Sequence, residues 1–214
     1  MIKTYKSADK TQLTTHFNVR EFRCKCSGNH DTKLDSDLAD KLEKLHKALN
    51  CSKIIINSGY RCTAHDKNVG GSGSGQHVCG TAADIVCYDS KGRVISSKIV
   101  CCAAQDIGFG GIANIDSTYT ATHVDVRSSN FWKGDEVRTT AYSITDDFYK
   151  YYKLSEIDVY GKKKTYSITN KSDIKSLQNA LNANGFNCGS PDGIIGCNTV
   201  KAMFSALCEL LLSK

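Results

Sequence analysis

The sequence predicts an α+β fold for most of the chain, followed by a small helical domain. Short β-branched runs alternate with segments of helical periodicity and are separated by long loops, which is typical of an α+β domain. After about Tyr152 the sequence becomes charged and weakly periodic, and it then follows a helix–turn–helix pattern. We therefore expect a first domain at residues 1–152, a linker at 153–166 and a helical domain at 167–214.

Residue spacing predicts the elements of the first domain. The leucines of DSDLADKLEKLHKALN recur every three or four residues, which indicates an amphipathic helix that Asp35 or Ser36 could cap. Ser96 could cap a second helix in SKIVCCAAQDIG. The runs KIIIN, AADIVCY and ATHVDVRS predict three strands, and the glycine-rich segment NVGGSGSGQ predicts a loop between the first two.

The last fifty residues predict two helices around a tight turn. SDIKSLQNALNANGF and CNTVKAMFSALCELLL each carry an apolar stripe at helical spacing. Between them lies SPDG, which contains the only proline of the chain and is a strong turn signal. This pattern indicates a helical domain of under fifty residues.

Composition excludes several classes of protein. No run of eighteen apolar residues occurs, so we expect no membrane insertion. The net charge of +6 is mild, and no Lys/Arg stripe interleaved with aromatic residues occurs, which argues against nucleic-acid binding. The N-terminal residues MIKTYKSADKTQLTTHF lack the apolar core of a secretory signal, so we expect a cytoplasmic protein that acts elsewhere only after release.

The chain contains eleven cysteines, which is a high number for a protein without a secretory signal. In a reducing compartment most of them are expected to be free thiols that pack as small apolar residues. A zinc site built from Cys24, Cys26 and a neighbour such as His30 is a second interpretation, although the CKC spacing is shorter than that of a usual zinc knuckle.

One segment has the chemistry of a metal site. His77 precedes Asp84 by seven residues, and Gly80 and Ala82 between them allow the backbone to turn tightly. His123, on the strand predicted in THVDVR, is the best third donor. A hydrolytic zinc centre needs three protein ligands and one open position. Each histidine alone could equally be a structural residue, and only the ordered set favours a metal site.

The ordered motifs SGYRC, GQHVCGTAADI and HVDVR resemble the zinc D-alanyl-D-alanine carboxypeptidase family. That family includes vancomycin-resistance dipeptidases and the L-alanyl-D-glutamate endopeptidases of phage lysins. The resemblance covers residues 16–130 and implies a peptidase domain with a small antiparallel sheet and flanking helices. It implies one zinc ion held by His77, Asp84 and His123.

The same resemblance implies the roles of two further residues. Arg61 of SGYR is expected to bind the carbonyl or carboxylate of the substrate. The substrate-binding serine commonly found two residues before the first histidine is replaced by Gly75, so Ser74 next to it is the candidate. His65, in RCTAHDKN, is expected to be structural.

The general base is the open question, because hydrolysis needs a group that takes the proton of the water. Several relatives carry Asp or Glu three residues before the last histidine, where this chain has Thr120. Asp125, on the same strand face as His123, is the first candidate, and Asp116 in the preceding loop is the second. Either could instead orient His123 without acting on the substrate.

The C-terminal segment resembles the three-helix peptidoglycan-binding domain of many wall hydrolases. The matching residues, most of them core and turn positions, are Leu177, Gln178, Leu181, Gly185, Asp192, Gly193, Gly196, Thr199 and Val200. The two resemblances together imply a zinc peptidase that hydrolyses bacterial peptidoglycan, with a phage or prophage endolysin as the first interpretation. A D-Ala-D-Ala carboxypeptidase and an inactive wall-binding protein are the alternatives.

Overall fold

The chain forms two compact units in a computed structural model that describes residues 1–137, 143–144, 146–161 and 171–212. The first unit comprises Met1–Lys163 and the second Lys164–Lys214. None of the helices among these described residues is long and apolar enough to cross a membrane.

The first unit contains seven strands, six α-helices and one 3₁₀ helix among the described residues. The strands are β1 (Ile2–Tyr5), β2 (Thr32–Asp35), β3 (Lys53–Ser58), β4 (Ala82–Tyr88), β5 (Gly111–Asn114), β6 (Thr122–Asp125) and β7 (Trp132–Asp135). The helices are α1 (Ser36–Ala48), α2 (Thr63–Asn68), α3 (Gln76–Cys79), α4 (Ser97–Ile107), α5 (Phe148–Tyr152) and α6 (Glu156–Tyr160), with the 3₁₀ helix at Val19–Phe22.

The strands form two sheets, and the predicted α+β class is confirmed. β1 and β2 form a small antiparallel sheet, while the larger sheet has the order β3-β4-β6-β5-β7. The expectation of a wholly antiparallel sheet is wrong for one pair, because β7 runs parallel to β5. β5 and β6 form an antiparallel pair, and the chain then crosses over to the free edge of β5, where β7 has the same direction as β5.

Helices α1 and α4 cover one face of the larger sheet. The α1 leucines Leu38, Leu42 and Leu45 are buried with strand residues such as Ile85 and Val124 in one core cluster. Asp35 caps α1 by accepting a hydrogen bond from the backbone N–H of Asp37 at 3.0 Å.

Helix α4 begins where the sequence predicts, but its capping differs from the prediction. Ser96 occupies the N-cap position without making a side-chain capping hydrogen bond. Its backbone carbonyl instead accepts from the N–H groups of Ile99 and Val100. The apolar face of α4 is buried in the core, so packing against the sheet stabilises the helix without that cap.

The register of the strands places a second set of side chains on the opposite face of the sheet. Asp84 of β4 pairs with His123 of β6, His123 pairs with Ala113 of β5, and Ala113 is level with Gly134 of β7. Because successive side chains alternate between faces, this row projects away from the helices. The motif residues therefore share the face that the helices leave uncovered.

The second unit consists of two helices around the predicted turn in the described residues. These are α7 (Lys171–Ala183) and α8 (Cys197–Leu212), and the third helix implied by the resemblance is not confirmed. The buried side chain of Gln178 donates to Asp192 at 2.9 Å and to Thr199 at 3.1 Å, and it accepts from the N–H of Gly193 at 2.9 Å. Several of the pattern-matching residues thus hold the turn in place.

The predicted domain boundaries stay a prediction. The expected linker at 153–166 includes α6, whose Val159 is buried in the core of the first unit. The last part of that linker, from residue 162 to residue 166, belongs to the stretch 162–170, which lies outside the described residues.

Gly80, at the end of α3, is a position where backbone conformation and packing together require glycine. Its φ of 79° is left-handed, and a Cβ there would overlap the backbone carbonyl of Lys33. Gly92 has a similar φ of 74°, but a Cβ there would meet nothing within 4 Å. Comparing alanine substitutions at the two glycines therefore separates the energetic cost of the left-handed conformation from the cost of the packing clash.

We expect Gly92→Ala to cost about 1 kcal/mol of unfolding free energy, the usual cost of a left-handed alanine. Gly80→Ala should cost about 2 kcal/mol more, because the added methyl group also displaces the strand backbone beside it. Urea unfolding followed by the fluorescence of Trp132, the single tryptophan, measures both variants. Equal costs for the two variants would contradict the packing role of Gly80.

Candidate metal centre

Three side chains from separate elements converge on the uncovered face of the sheet. Nε2 of His77, on α3, lies 3.3 Å from Oδ1 of Asp84 and 3.3 Å from Nδ1 of His123. The same Nδ1 of His123 lies 3.0 Å from Oδ1 of Asp84. All three side chains are largely buried, with His77 7% and Asp84 8% exposed and the side chain of His123 12% exposed. The structure therefore brings together the three ligands that the resemblance implies.

In each of the two histidines, the ring nitrogen that faces away from Asp84 has a defined hydrogen-bond partner. Nδ1 of His77 lies 2.7 Å from the carbonyl oxygen of Gly59 and must donate to it, because a carbonyl can only accept. Nε2 of His123 donates to Oδ2 of Asp125 at 3.1 Å. These bonds orient both rings and leave Nε2 of His77 and Nδ1 of His123 facing Asp84. Such outer partners are typical of metal-binding histidines.

The electrostatics of the cluster favour a charged carboxylate. Burial acts to raise the pKa of Asp84, but hydrogen bonds and charges of His123 and His77 outweigh it and hold that pKa well below its usual range. Burial acts to lower the pKa of His123, yet its hydrogen bonds to Asp125 and Asp84, together with their charges, raise it to about 9. In its protonated form the imidazole of His123 therefore donates from both nitrogens.

The cluster fits a zinc ion in donor type and in spacing. Two imidazole nitrogens and one carboxylate oxygen form a usual donor set for catalytic zinc. A tetrahedral zinc ion with ligands at about 2.0–2.1 Å holds those ligands about 3.3 Å apart. The three separations in this site are 3.3, 3.3 and 3.0 Å. The observed separations therefore differ from the tetrahedral value by at most about 0.3 Å.

Arg61, from the loop after β3, lies against Asp84. Its Nη2 donates to Oδ2 of Asp84, its Nε donates to Oγ of Ser58 at 2.7 Å, and its Nη1 lies 3.4 Å from Oδ1 of Asp66. The guanidinium thus holds the oxygen of Asp84 that does not face the histidines. Arg61 therefore orients Asp84, in addition to its expected contact with the substrate.

Asp125, the first candidate for the general base, is 0% exposed and has partners on both carboxylate oxygens. Arg127 donates from Nε to Oδ1 at 2.9 Å and from Nη2 to Oδ2, the oxygen that also accepts from His123. Burial acts to raise the pKa of Asp125, but these hydrogen bonds lower it. A buried carboxylate engaged in this way is positioned to orient His123.

Asp116, the second candidate, has both oxygens engaged within its own loop. It accepts from the hydroxyl groups of Thr118 and Thr120 and from the backbone N–H of Ala121. Burial acts to raise the pKa of Asp116, and these hydrogen bonds lower it. The side chain therefore closes a turn instead of facing the metal cluster.

Glu136 is a carboxylate near the cluster that the sequence motifs did not reveal. It follows β7 and lies two residues after Gly134, so strand alternation places it on the face of His123. Its neighbour Asp135 points to the opposite face, where it accepts a hydrogen bond from Asn114 at 3.0 Å. Desolvation raises the pKa of Glu136, the charge of His123 opposes this rise, and the charge of Asp84 adds to it.

The remaining predicted residues, Ser74 and His65, are not among the side chains that converge with Asp84. Ser74 is exposed in the loop before α3, with its hydroxyl 3.3 Å from that of Ser72. His65 lies on α2, apart from the three ligands. Trp132 of β7 packs edge-on against His123 with ring centroids 6.2 Å apart, and no motif in the sequence indicated it.

Comparison with known proteins adds the family. The model of the family described as peptidase M15 matches residues 15–125. A search of curated proteins found no match to the chain. The family match spans just over half of the 214 residues and includes His77, Asp84 and His123. The chain therefore belongs to the peptidase M15 family.

Proposed function

We propose that this protein is a zinc-dependent endopeptidase that cleaves the stem peptides of bacterial peptidoglycan, at the L-Ala-D-Glu bond or a related one. The convergence of His77, Asp84 and His123 within 3.0–3.3 Å of one another carries the proposal. The M15 family is zinc-dependent, and this donor set is the one that such an ion requires.

The proposed roles follow from the hydrogen bonds of the cluster. His77, Asp84 and His123 hold the zinc ion, which when bound supplies a Lewis acid and lowers the pKa of a water molecule towards neutrality. The Gly59 carbonyl and Asp125 hold the two imidazole rings in the orientation that binding requires. Two-point support of this kind restricts ring rotation, which reduces the entropy lost on metal binding.

Arg61 is the proposed contact for the substrate carbonyl. The described residues accept three of its five N–H donors, and its guanidinium stays charged at any physiological pH. The remaining donors can bind the carbonyl oxygen as negative charge develops on it. The bonds to Ser58 and Asp84 fix the guanidinium in place before the substrate arrives.

Glu136 is the proposed general base. Asp125 and Asp116 have both oxygens occupied, whereas Glu136 is exposed and follows β7 on the face that carries His123. Its raised pKa suits a group that takes a proton near neutral pH and returns it to the leaving amine.

An endopeptidase is favoured over a carboxypeptidase by the pairing of the arginines. A carboxypeptidase needs a cation that can bind the free carboxylate at the end of its substrate. In the described part of the chain, the two arginines beside the cluster are both paired with carboxylates, Arg61 with Asp84 and Arg127 with Asp125. Such neutralised cations suit the carbonyl of an internal peptide bond better than a terminal carboxylate.

The second unit is proposed to bind the bacterial wall. A weak wall affinity raises the local concentration of substrate around a tethered catalytic domain. This arrangement suits an endolysin that is kept in the cytoplasm and reaches the wall after the membrane is breached.

Product analysis tests the proposal directly. Purified sacculi are incubated with the zinc-loaded protein, with and without a chelator, and the released fragments are identified by mass spectrometry. Chelator-sensitive fragments with new L-alanine carboxyl and D-glutamate amino ends are expected. Release of free D-alanine alone would instead establish a carboxypeptidase, and no release with retained sacculus binding would establish a wall-binding protein without activity.

We expect His77→Ala to lose the zinc ion held by His77, Asp84 and His123 and to lose the hydrolysis of sacculi, because one of three protein ligands is removed. His65→Ala is the matched control, since it removes an imidazole from a neighbouring helix and should keep both properties. Zinc content is measured by inductively coupled plasma mass spectrometry after dialysis. Unchanged zinc binding at the cluster in His77→Ala would refute the ligand assignment.

Asp125→Asn and Glu136→Gln should give opposite signatures. Asp125→Asn weakens zinc binding about 10–100-fold, because the partner that orients His123 is altered. Glu136→Gln keeps the zinc affinity and lowers kcat about 10²–10⁴-fold, the usual contribution of a general base.

Competition with a chromophoric chelator gives the affinities of the two variants, and initial rates at saturating zinc give kcat. A fall in kcat with unchanged zinc affinity in Asp125→Asn would return the role of base to Asp125.

A further inference from the structure

Three cysteines from distant parts of the chain meet beside the 3₁₀ helix. Sγ of Cys24 lies 3.4 Å from Sγ of Cys26, which in turn lies 4.0 Å from Sγ of Cys62. All three sulfur atoms lie within 4.8 Å of one another. The third cysteine comes from the SGYRC motif, thirty-six residues after Cys26, so the short CKC spacing alone did not reveal the set.

The sulfur separations match those of zinc ligands. With Zn–S distances of about 2.3 Å, two thiolates on a tetrahedral ion lie about 3.8 Å apart. The observed 3.4 and 4.0 Å lie on either side of that value. A disulfide would require about 2.05 Å and could join only two of the three sulfurs. The arrangement therefore suits a shared ion better than a bond between two of the thiols.

Backbone N–H groups and basic residues surround the three sulfur atoms. The backbone N–H of Cys62 donates to Sγ of Cys24, and that of His65 donates to Sγ of Cys62, each at 3.4 Å. The side chains of Arg23 and Lys25 line the adjoining cavity and supply positive charge. Cations and N–H donors both stabilise sulfur in its anionic form, which is the form that binds metals.

His30 is the candidate for the fourth ligand, and its imidazole would have to move towards the sulfur atoms, because the group within 4.8 Å contains only the three cysteines. It lines the same cavity of about 300 Å³ as Cys24 and Cys26, and its imidazole folds back over the backbone of Gly28. Three thiolates and one imidazole are a usual ligand set for structural zinc.

We propose that Cys24, Cys26 and Cys62, with His30 as fourth ligand, bind a second zinc ion whose role is structural. Each bound thiol releases its proton to solvent. The ion would join the segment after the 3₁₀ helix to the loop that carries Gly59 and Arg61. That loop supports the catalytic cluster, so the second site fixes the position of residues at the first.

Metal stoichiometry of the full chain tests the second site. Reduced protein is loaded with zinc, dialysed and examined by native mass spectrometry. The unmodified chain should carry two zinc ions, and His77→Ala and Cys26→Ser should carry one each. Cys197→Ser, which removes an exposed cysteine outside the cluster, is the matched control and should carry two.

X-ray absorption at the zinc edge of His77→Ala provides evidence that does not depend on the folding of a cysteine variant. Sulfur neighbours at about 2.3 Å around its single ion are expected. One zinc in the unmodified chain and none in His77→Ala would overturn the second site alone. A single sulfur-bound ion in both proteins would instead overturn the catalytic cluster and leave the second site standing. A Cys24–Cys26 disulfide in metal-loaded, reduced protein would also overturn the proposal.

Discussion

The pairing of β4 with β6 is the constraint on which the site depends. It places Asp84 directly opposite His123, so two proposed zinc ligands thirty-nine residues apart in the sequence meet across one strand pair. A shift of one residue would turn His123 towards the helices and bring Val124 to the site face. The register is secured by the other face, because Ile85 and Val124 are buried there at 0% exposure. The apolar core therefore sets the geometry of the polar site.

The pairing of opposite charges explains why so many ionisable groups can be buried at this site. Asp84 and Asp125 are each held by one arginine, and His123 lies between the two carboxylates. Each charge thus has an opposite charge within hydrogen-bond distance, which offsets the cost of desolvation. A divalent cation bound to this set would displace a proton from His123, so the net gain of positive charge at the site would be smaller than the charge of the ion.

The sequence predicts those elements and residues that are marked by a pattern within a short stretch of the chain. The strand at Ala82–Tyr88 and the helix at Ser36–Ala48 follow from short-range periodicity, and His77, Asp84 and His123 follow from ordered motifs. The roles proposed for Glu136 and Cys62 have no local signal, because each joins its neighbours through strand order or loop packing over tens of residues. The sequence placed Asp125 on the strand face of His123, where it lies, but only its pairing with Arg127 distinguishes an orienting carboxylate from a free one.

The segment Ser58–Cys62 shows why one short motif can serve several purposes. Ser58 holds the Arg61 side chain, and the Gly59 carbonyl holds His77. The Tyr60 N–H donates to the Phe22 carbonyl at 2.7 Å, so the segment runs against the 3₁₀ helix. A Cβ at Gly59 would lie 2.7 Å from that same carbonyl oxygen, which requires glycine there. Gly59, Tyr60, Arg61 and Cys62 each bond to a different residue outside the segment, so this short stretch of backbone connects the cysteine cluster to Arg61 and His77.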